Sequence, residues 1–401
     1  MSLFEGEELK PDDNKQMESS VFTDQTINEK YVRGEIRIVT EQARYPLDAI
    51  AGIVESASYK LSPEYQRRHR WSIDQQSRLI ESLIMNVPVP PIFLYEYDYS
   101  KYEVMDGLQR LTAIHDFYRD RYSLSGMTEW KELNGRKYST LPEKIKEGID
   151  RRYLSSVILL KETAKNDVDA LHLKQMVFER INSGGERLTY QETRNAIYDG
   201  PLNRLCINLS KSPALCRLWG IPEPDQCEIN NGIPSDKRIQ NEDFRRMTDV
   251  ELVLRFFAYR QKHKLHKSSA LSVYLDTYLR LGNQFSQDTL SILESLFVET
   301  ITIIEDTFGV NAFCLWRQRG GNWSWYDRPT TTIYDPLMFV MSNHLAQSET
   351  IRAKSLQFKK KITQFYAKHY AVFEGRNVNI TALKERERKF EEFIDETLAE
   401  E

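Results

Sequence analysis

Asp106-Gly-Leu-Gln-Arg110 gathers a carboxylate, a glycine, an amide and a guanidinium within five residues. The run before it, Lys101-Tyr-Glu-Val-Met105, is strand-like, and Leu108, Leu111, Ile114, His115 and Tyr118 recur after it at helical spacing. A strand that ends in an Asp-Gly turn and opens a helix suits anion binding. Glycine lets a ligand approach the backbone, the free amides of the first helical turn attract negative charge, and Arg110 offers a two-pronged donor for phosphate. Asp106 can hold a magnesium-bound water there or orient a nucleophile. The plain alternative is an Asp-Gly turn followed by a capped helix.

Two further clusters invite the same chemistry. Gln66-Arg67-Arg68-His69-Arg70 lies in a stretch, Glu64 to Arg78, with four arginines against two acids, between Tyr65 and Trp71. Arginines interleaved with aromatics suit phosphate clamping or base stacking, and equally a solvated turn whose tryptophan plugs the core. Asn182-Ser-Gly-Gly-Glu186 precedes Thr189 and Glu192, which are spaced as a capping box, with Arg194 on the helix that follows. Its glycines can form an amide nest, or simply end one helix before the next begins.

The elements that must position these residues can be read from periodicity. Residues 1–30 carry eight acids against three lysines and form an acidic, flexible lead-in. A short strand-like stretch holds Ile36 and Val39, and a helix follows Pro46. Asp74 is the expected cap of a helix bearing Leu79, Ile80, Leu83 and Ile84. Residues 91–97 and 101–105 read as a hairpin or close pair, and 156–160 as a third strand. Beyond residue 200 long apolar-periodic stretches read as helices with no strand among them. The expected architecture is α+β: a mixed α/β domain over 31–215 and an all-helical domain over 216–401.

Composition narrows the function classes. The chain has 401 residues, 40% of them hydrophobic, and a net charge of −4, which excludes a bulk polycation held on nucleic acid by charge alone. No run approaches the ~18 apolar residues of a membrane span, so no membrane partner and a cytoplasmic location are expected. The four cysteines, at 206, 216, 227 and 314, have neither metal-ligand nor disulfide-framework spacing and read as reduced, mostly packed thiols.

The three clusters occur in a specific order. Gln66-Arg67 with Trp71, Asn86-Val-Pro-Val-Pro-Pro-Ile92, Tyr102-Glu-Val-Met-Asp-Gly-Leu-Gln-Arg-Leu-Thr112 and Phe178-Glu-Arg-Ile-Asn-Ser-Gly-Gly185 with Leu188 together resemble the N-terminal domain family of GmrSD-type restriction endonucleases. Further matches, Arg246-Met247 with Asp249 and Phe308-Gly-Val-Asn-Ala-Phe313, lie in the helical region. The resemblance implies a ParB/sulfiredoxin-like domain that binds and hydrolyses nucleoside triphosphates with Mg2+. It also implies a place in a restriction-modification or anti-phage system that senses or acts on DNA, including modified phage DNA. Carried over by position, Asp106, Arg110 and Arg67 take catalytic roles, with Asp106 also at the metal. Gly107, Gln109, Gln66, Asn182 and Arg194 take the nucleotide. This chain departs from the family's Asp-Gly-Gln-Gln-Arg motif at Leu108, whose side chain neither donates nor accepts a hydrogen bond. Either turnover is impaired, or position 108 faces the helix core.

The family's histidine-rich nuclease motif is not formed by His69, His115, His172, His263, His266, His344 and His369. A partner nuclease or ATPase subunit is therefore expected. The competing function is a non-enzymatic reader or scaffold, in which the same arginines hold DNA and recruit a separate nuclease. Trp316-Arg-Gln-Arg-Gly-Gly-Asn-Trp-Ser-Trp-Tyr-Asp-Arg328 remains open between stacking on bases, pinning a long loop to the helical domain, and meeting a partner protein.

Overall fold

The computed structural model describes residues 3–9, 23–33, 38–61, 68, 71–161, 167–181, 188–265, 270–374 and 380–400. Its contacts divide the chain into two units, one of Asn14–Ile197 and one that joins Met1–Asp13 to Tyr198–Glu401. Together they form an α+β protein. The boundary falls at Ile197/Tyr198, ahead of the 215 expected from the proline-rich composition further on.

The first unit is built on a five-stranded mixed sheet. Its strands are β1 (Thr40–Pro46), β2 (Tyr59–Lys60), β3 (Ile92–Asp98), β4 (Lys101–Asp106) and β5 (Tyr153–Leu159), in the order β1-β5-β3-β4-β2. β3 and β4 form the expected hairpin, and β5 lies parallel to β3. β1 pairs antiparallel with β5 at one edge. It begins at Thr40, after Val39; Ile36 lies outside the described residues. Its Ala43 and Tyr45 pack toward the core while its polar residues face away, as an edge strand permits.

One sheet face is apolar. Ile92, Leu94, Val104 and Ile158 meet Leu79, Ile80 and Leu83 of the helix Ile73–Ile84 and Leu111, Ile114 and Phe117 of the helix Leu108–Tyr118. Ser72, not Asp74, caps the first of these helices. Ser72 Oγ accepts from the Gln75 amide and Gln75 Oε1 accepts from the Ser72 amide, because Ser72 is the last extended residue before the helix.

Glu81 on the same helix fixes the loop beyond it. Its carboxylate accepts from the backbone amides of Thr128, Glu129 and Trp130 at 2.8–3.0 Å. Burial raises its pKa, but the amide bonds outweigh that and hold it below the ordinary carboxylate value. A depressed pKa means that this stabilisation is fully present above the unfolded-state pKa and is lost as pH falls through the folded one. Glu81→Gln is expected to cost about 2 kcal/mol at neutral pH. The gap between the denaturation midpoints of wild type and variant should close as the pH is taken toward 3; a constant gap would contradict the assignment.

The second unit is mainly helical. Phe257 on Thr248–Leu265, Phe297 and Ile301 on Gln287–Phe308, and Tyr334 and Met338 on Thr331–Asn343 are fully buried. Phe365 on Ser355–Lys368 packs against Phe390 and Phe393 of Ile380–Ala399. Arg255 is buried against Asp335. Cys206, Cys216 and Cys314 are buried and unbridged, and Cys227 is exposed. No helix among the described residues is long and apolar enough to cross a membrane.

Two features depart from the sequence expectation. The helical unit contains a hairpin, β6 (Trp316–Arg319) and β7 (Asn322–Trp325). Gly320 and Gly321 make its turn, with φ of 59° and 87°, a left-handed pair that glycine adopts without penalty. Within the acidic lead-in, Asp24–Arg33 is an exposed helix, whereas Phe4–Leu9 is seated in the helical unit. There Glu7 and Arg260 are both fully buried and joined by two bonds of 2.6 and 2.8 Å. Gln261 donates to the Glu7 carbonyl and accepts from the Leu9 amide. A buried arginine supplies the counter-charge that an acidic segment needs in order to leave water.

Candidate functional site

The turn after β4 is the most elaborately prepared place in the first unit. Along β3 and β4, Phe93 pairs with Asp106 but Leu94 pairs with Val104, so β4 carries one extra residue between them. This bulge has a consequence for direction. Val104 faces the apolar core, and plain alternation would send Asp106 the same way. The inserted residue instead puts Asp106 on the face of its cross-strand partner Phe93, shared by the Tyr95–Glu103 pair.

Gly107 then turns the chain with φ 98° and ψ 11°. A β-carbon there would lie 2.4 Å from Ile92 Cγ2 and 3.0 Å from Arg110 Nη2, so glycine is required by both backbone angle and space. As the N-cap of the helix Leu108–Tyr118, Gly107 brings no side chain to bond the first amides. Ser72 and Ser286 do cap their helices. The helix dipole therefore presents a positive end beside the strand terminus with no capping side chain from Gly107.

Arg110 folds back over this turn. Its Nη2 donates to Asp106 Oδ2 at 2.6 Å and to the Pro91 carbonyl at 3.2 Å, which fixes the guanidinium plane. Its Nε is buried with no hydrogen-bond partner among the described residues. Side-chain exposures of 35% for Asp106 and 14% for Arg110 leave the pair reachable from solvent.

Leu108, the departure from the family motif, is buried in the apolar core. Its lack of hydrogen-bonding atoms is therefore a packing property and removes nothing from the exposed side of the turn. Gln109 ties the turn to Trp71: its Oε1 accepts from the Trp71 amide at 3.1 Å, while the Trp71 carbonyl accepts from Gln76 Nε2 at 3.0 Å. Gln66 and Arg67 lie outside the described residues, and Arg68 of the same run is fully buried.

The third cluster is divided. Asn182 lies outside the described residues. Thr189 and Glu192 form the expected capping box, with bonds of 2.6 and 3.2 Å. Arg194 is buried, and its Nη1 donates to Gln191 Oε1 at 3.1 Å.

One pair on the Asp106 face was not singled out from the sequence. Lys174, on the helix Asp167–Ile181, reaches Glu103 of β4 with both carboxylate oxygens at 2.8 Å and lies 5.8 Å from the Tyr95 ring centre. Glu103 sits mid-strand and Lys174 mid-helix, and nothing local marks either as the other's partner. The pair clamps that helix to the strand that ends in Asp106.

Metal ligation is sparse. No group of three His, Cys, Asp or Glu side chains among the described residues could hold a metal ion. His115 is buried between Glu55 and Asp116, at 3.2 and 2.9 Å. The side chains of His263 and His266 are outside the described residues.

A family model described as GmrSD restriction endonuclease, N-terminal domain, matches residues 50–198. The match contains the Asp106 turn, Trp71 and Arg194, ends at the boundary of the first unit, and does not extend over the helical unit. No curated protein and no solved structure matches the chain.

Proposed function

We propose, from the premise that residues 50–198 match the N-terminal domain of the GmrSD restriction endonucleases, that this chain is the nucleotide-binding and nucleotide-hydrolysing component of a restriction or anti-phage system directed at DNA. The observation that carries the nucleotide part is the uncapped helix start at Gly107, with the Arg110 guanidinium held over it. Phosphate oxygens of a nucleoside triphosphate would accept from the amides of the first turn. Arg110 would supply the solvent-facing part of its guanidinium, which would follow charge as it grows on the transferred phosphoryl group.

Asp106 is a positioning group in this scheme. It orients Arg110 over the turn and would compete with phosphate for the same nitrogen. Gln109 and Gln76 hold Trp71 beside the turn. Arg67 is proposed as the second cation of the site and Gln66 and Asn182 as nucleotide contacts, on their places in the motif. Arg194 would serve by keeping its helix in place.

The residues fit magnesium in one mode only. Asp106 has one oxygen committed to Arg110 and the other without a hydrogen-bond partner among the described residues, which suits an ion that rests on one carboxylate, keeps its waters and takes the rest from substrate phosphates. Held there, magnesium would neutralise phosphate charge. Because nuclease chemistry has no visible centre among the described residues, cleavage is assigned to a separate partner chain.

The test is phosphate release across a panel of nucleoside triphosphates, with and without DNA and with and without EDTA. Release that requires the divalent ion is the expected result. No release from any triphosphate, together with salt-sensitive DNA binding, would replace this function by that of a non-enzymatic reader.

A further inference from the structure

The β6–β7 hairpin separates its side chains by face. The pairings Trp316 with Trp325 and Gln318 with Trp323 alternate with Arg317 opposite Ser324 and Arg319 opposite Asn322. One face is thus aromatic and the other carries only hydrogen-bonding groups. The aromatic face is the anchored one. Trp325 meets Tyr366 and Trp323 meets Tyr370 edge-on, with ring centres 6.1 and 5.5 Å apart, and Trp316 packs on Trp325 at 5.3 Å.

The opposite face is directed outward. Arg319, Asn322, Ser324 and both turn glycines are exposed, and Arg317 stacks on the Tyr326 ring at 3.8 Å. Stacking uses the flat of the guanidinium and leaves its edge for an acceptor. In the same unit the exposed arginines 204, 217 and 352 have carboxylate partners, in the pairs Arg204–Asp199, Arg217–Glu305 and Arg352–Asp306. Arg317 and Arg319 have none among the described residues, and no acid occurs from Leu315 to Tyr326.

We infer that this hairpin face binds the phosphate backbone of duplex DNA, with Arg317 and Arg319 on successive phosphates of one strand. Two residues along a β-strand are about 6.8 Å apart, close to the step between neighbouring phosphates. A two-stranded ribbon also has the width that a major groove admits. Its residues, Arg317, Arg319, Asn322 and Ser324, are all polar, and their donors match an acceptor-only surface. This assignment rests on the DNA-directed part of the proposed function and is independent of the nucleotide part. It places a DNA contact in the unit that the family model does not cover.

The full chain is tested with a short fluorescein-labelled DNA duplex over a salt series. Each arginine–phosphate contact is worth at least about a factor of ten, so Arg317→Ala with Arg319→Ala should weaken binding about a hundredfold. The slope of log affinity against log salt should fall by about 1.8, the value for two phosphates. Arg319→Lys keeps the charge and should keep the slope while weakening affinity, which separates loss of contact from misfolding. Thermal midpoint and DNA-free nucleotide turnover should be unchanged.

Unchanged affinity and slope in the double variant overturn the inference. So does binding of a structured RNA or of polyglutamate, but not duplex DNA, through the same arginines. Absence of all DNA binding by wild type overturns both this inference and the DNA-directed reading. Hairpin-dependent DNA binding without nucleotide turnover keeps the inference and removes only the nucleotide reading.

Discussion

Arg110→Ala is expected to lower nucleotide turnover by a factor of about 10²–10³, the usual effect of removing one fixed donor from a developing charge. The effect should fall on kcat, because the uncapped amides at Gly107 remain to bind the phosphates. Arg110→Lys should recover only part of the loss: an ammonium carries the charge but cannot bond Asp106, Pro91 and substrate in one plane. Asp106→Asn should behave differently. Removing the carboxylate that competes for Arg110 is expected to tighten nucleotide binding while turnover falls. Phosphate release and equilibrium binding of a fluorescent nucleotide measure the two quantities separately. Equal turnover in wild type and Arg110→Ala would refute the site assignment.

Glu7→Ala is expected to destabilise the helical unit by about 3–5 kcal/mol, because it leaves Arg260 charged and fully buried without its partner. A shift of that size is visible as a lower midpoint in chemical denaturation at unchanged slope. Glu7→Gln keeps the shape and one acceptor but not the charge, so it should fall between wild type and Glu7→Ala. Arg260→Met paired with Glu7→Met should recover much of the loss, since a buried pair replaced by apolar groups of similar size is often close to neutral. If Glu7→Ala leaves the midpoint in place, Phe4–Leu9 contributes nothing to the fold.

The parts of the site that could be read in advance are those with local causes. A β-branched and aromatic run, an Asp-Gly turn and a 3.6-residue apolar period identify β4, Gly107 and the helix after it from about 18 residues of sequence. The direction of Asp106 is not local. It depends on the bulge in β4 opposite β3, which two matched strands do not advertise. Leu108 illustrates the same limit: its chemistry excludes a hydrogen bond, but only its burial shows that none was needed.

Other misreadings have equally particular reasons. β1 is short on apolar residues because an edge strand packs on one side only, and β2 is two residues long. The β6–β7 hairpin does carry a visible signal, two alternating runs flanking Gly320-Gly321, but tryptophan and arginine in alternation look like a charged loop when no strand is expected nearby. Glu7 has no local signal at all. It is one of eight acids in the first thirty residues, and the arginine that distinguishes it is 253 positions away.

That separation governs how the chain can be made and divided. Closing a loop of this length costs on the order of 5 kcal/mol in chain entropy, unless the intervening residues have already condensed. The unit of Asn14–Ile197 can condense first, since its strands and helices are contiguous in sequence. During synthesis the segment Phe4–Leu9 then waits, its acid solvated, until Arg260 has emerged. A fragment beginning at Tyr198 contains every long helix of its unit but lacks the Glu7 carboxylate that pairs with Arg260, so supplying residues 1–13 as a separate peptide should complete it.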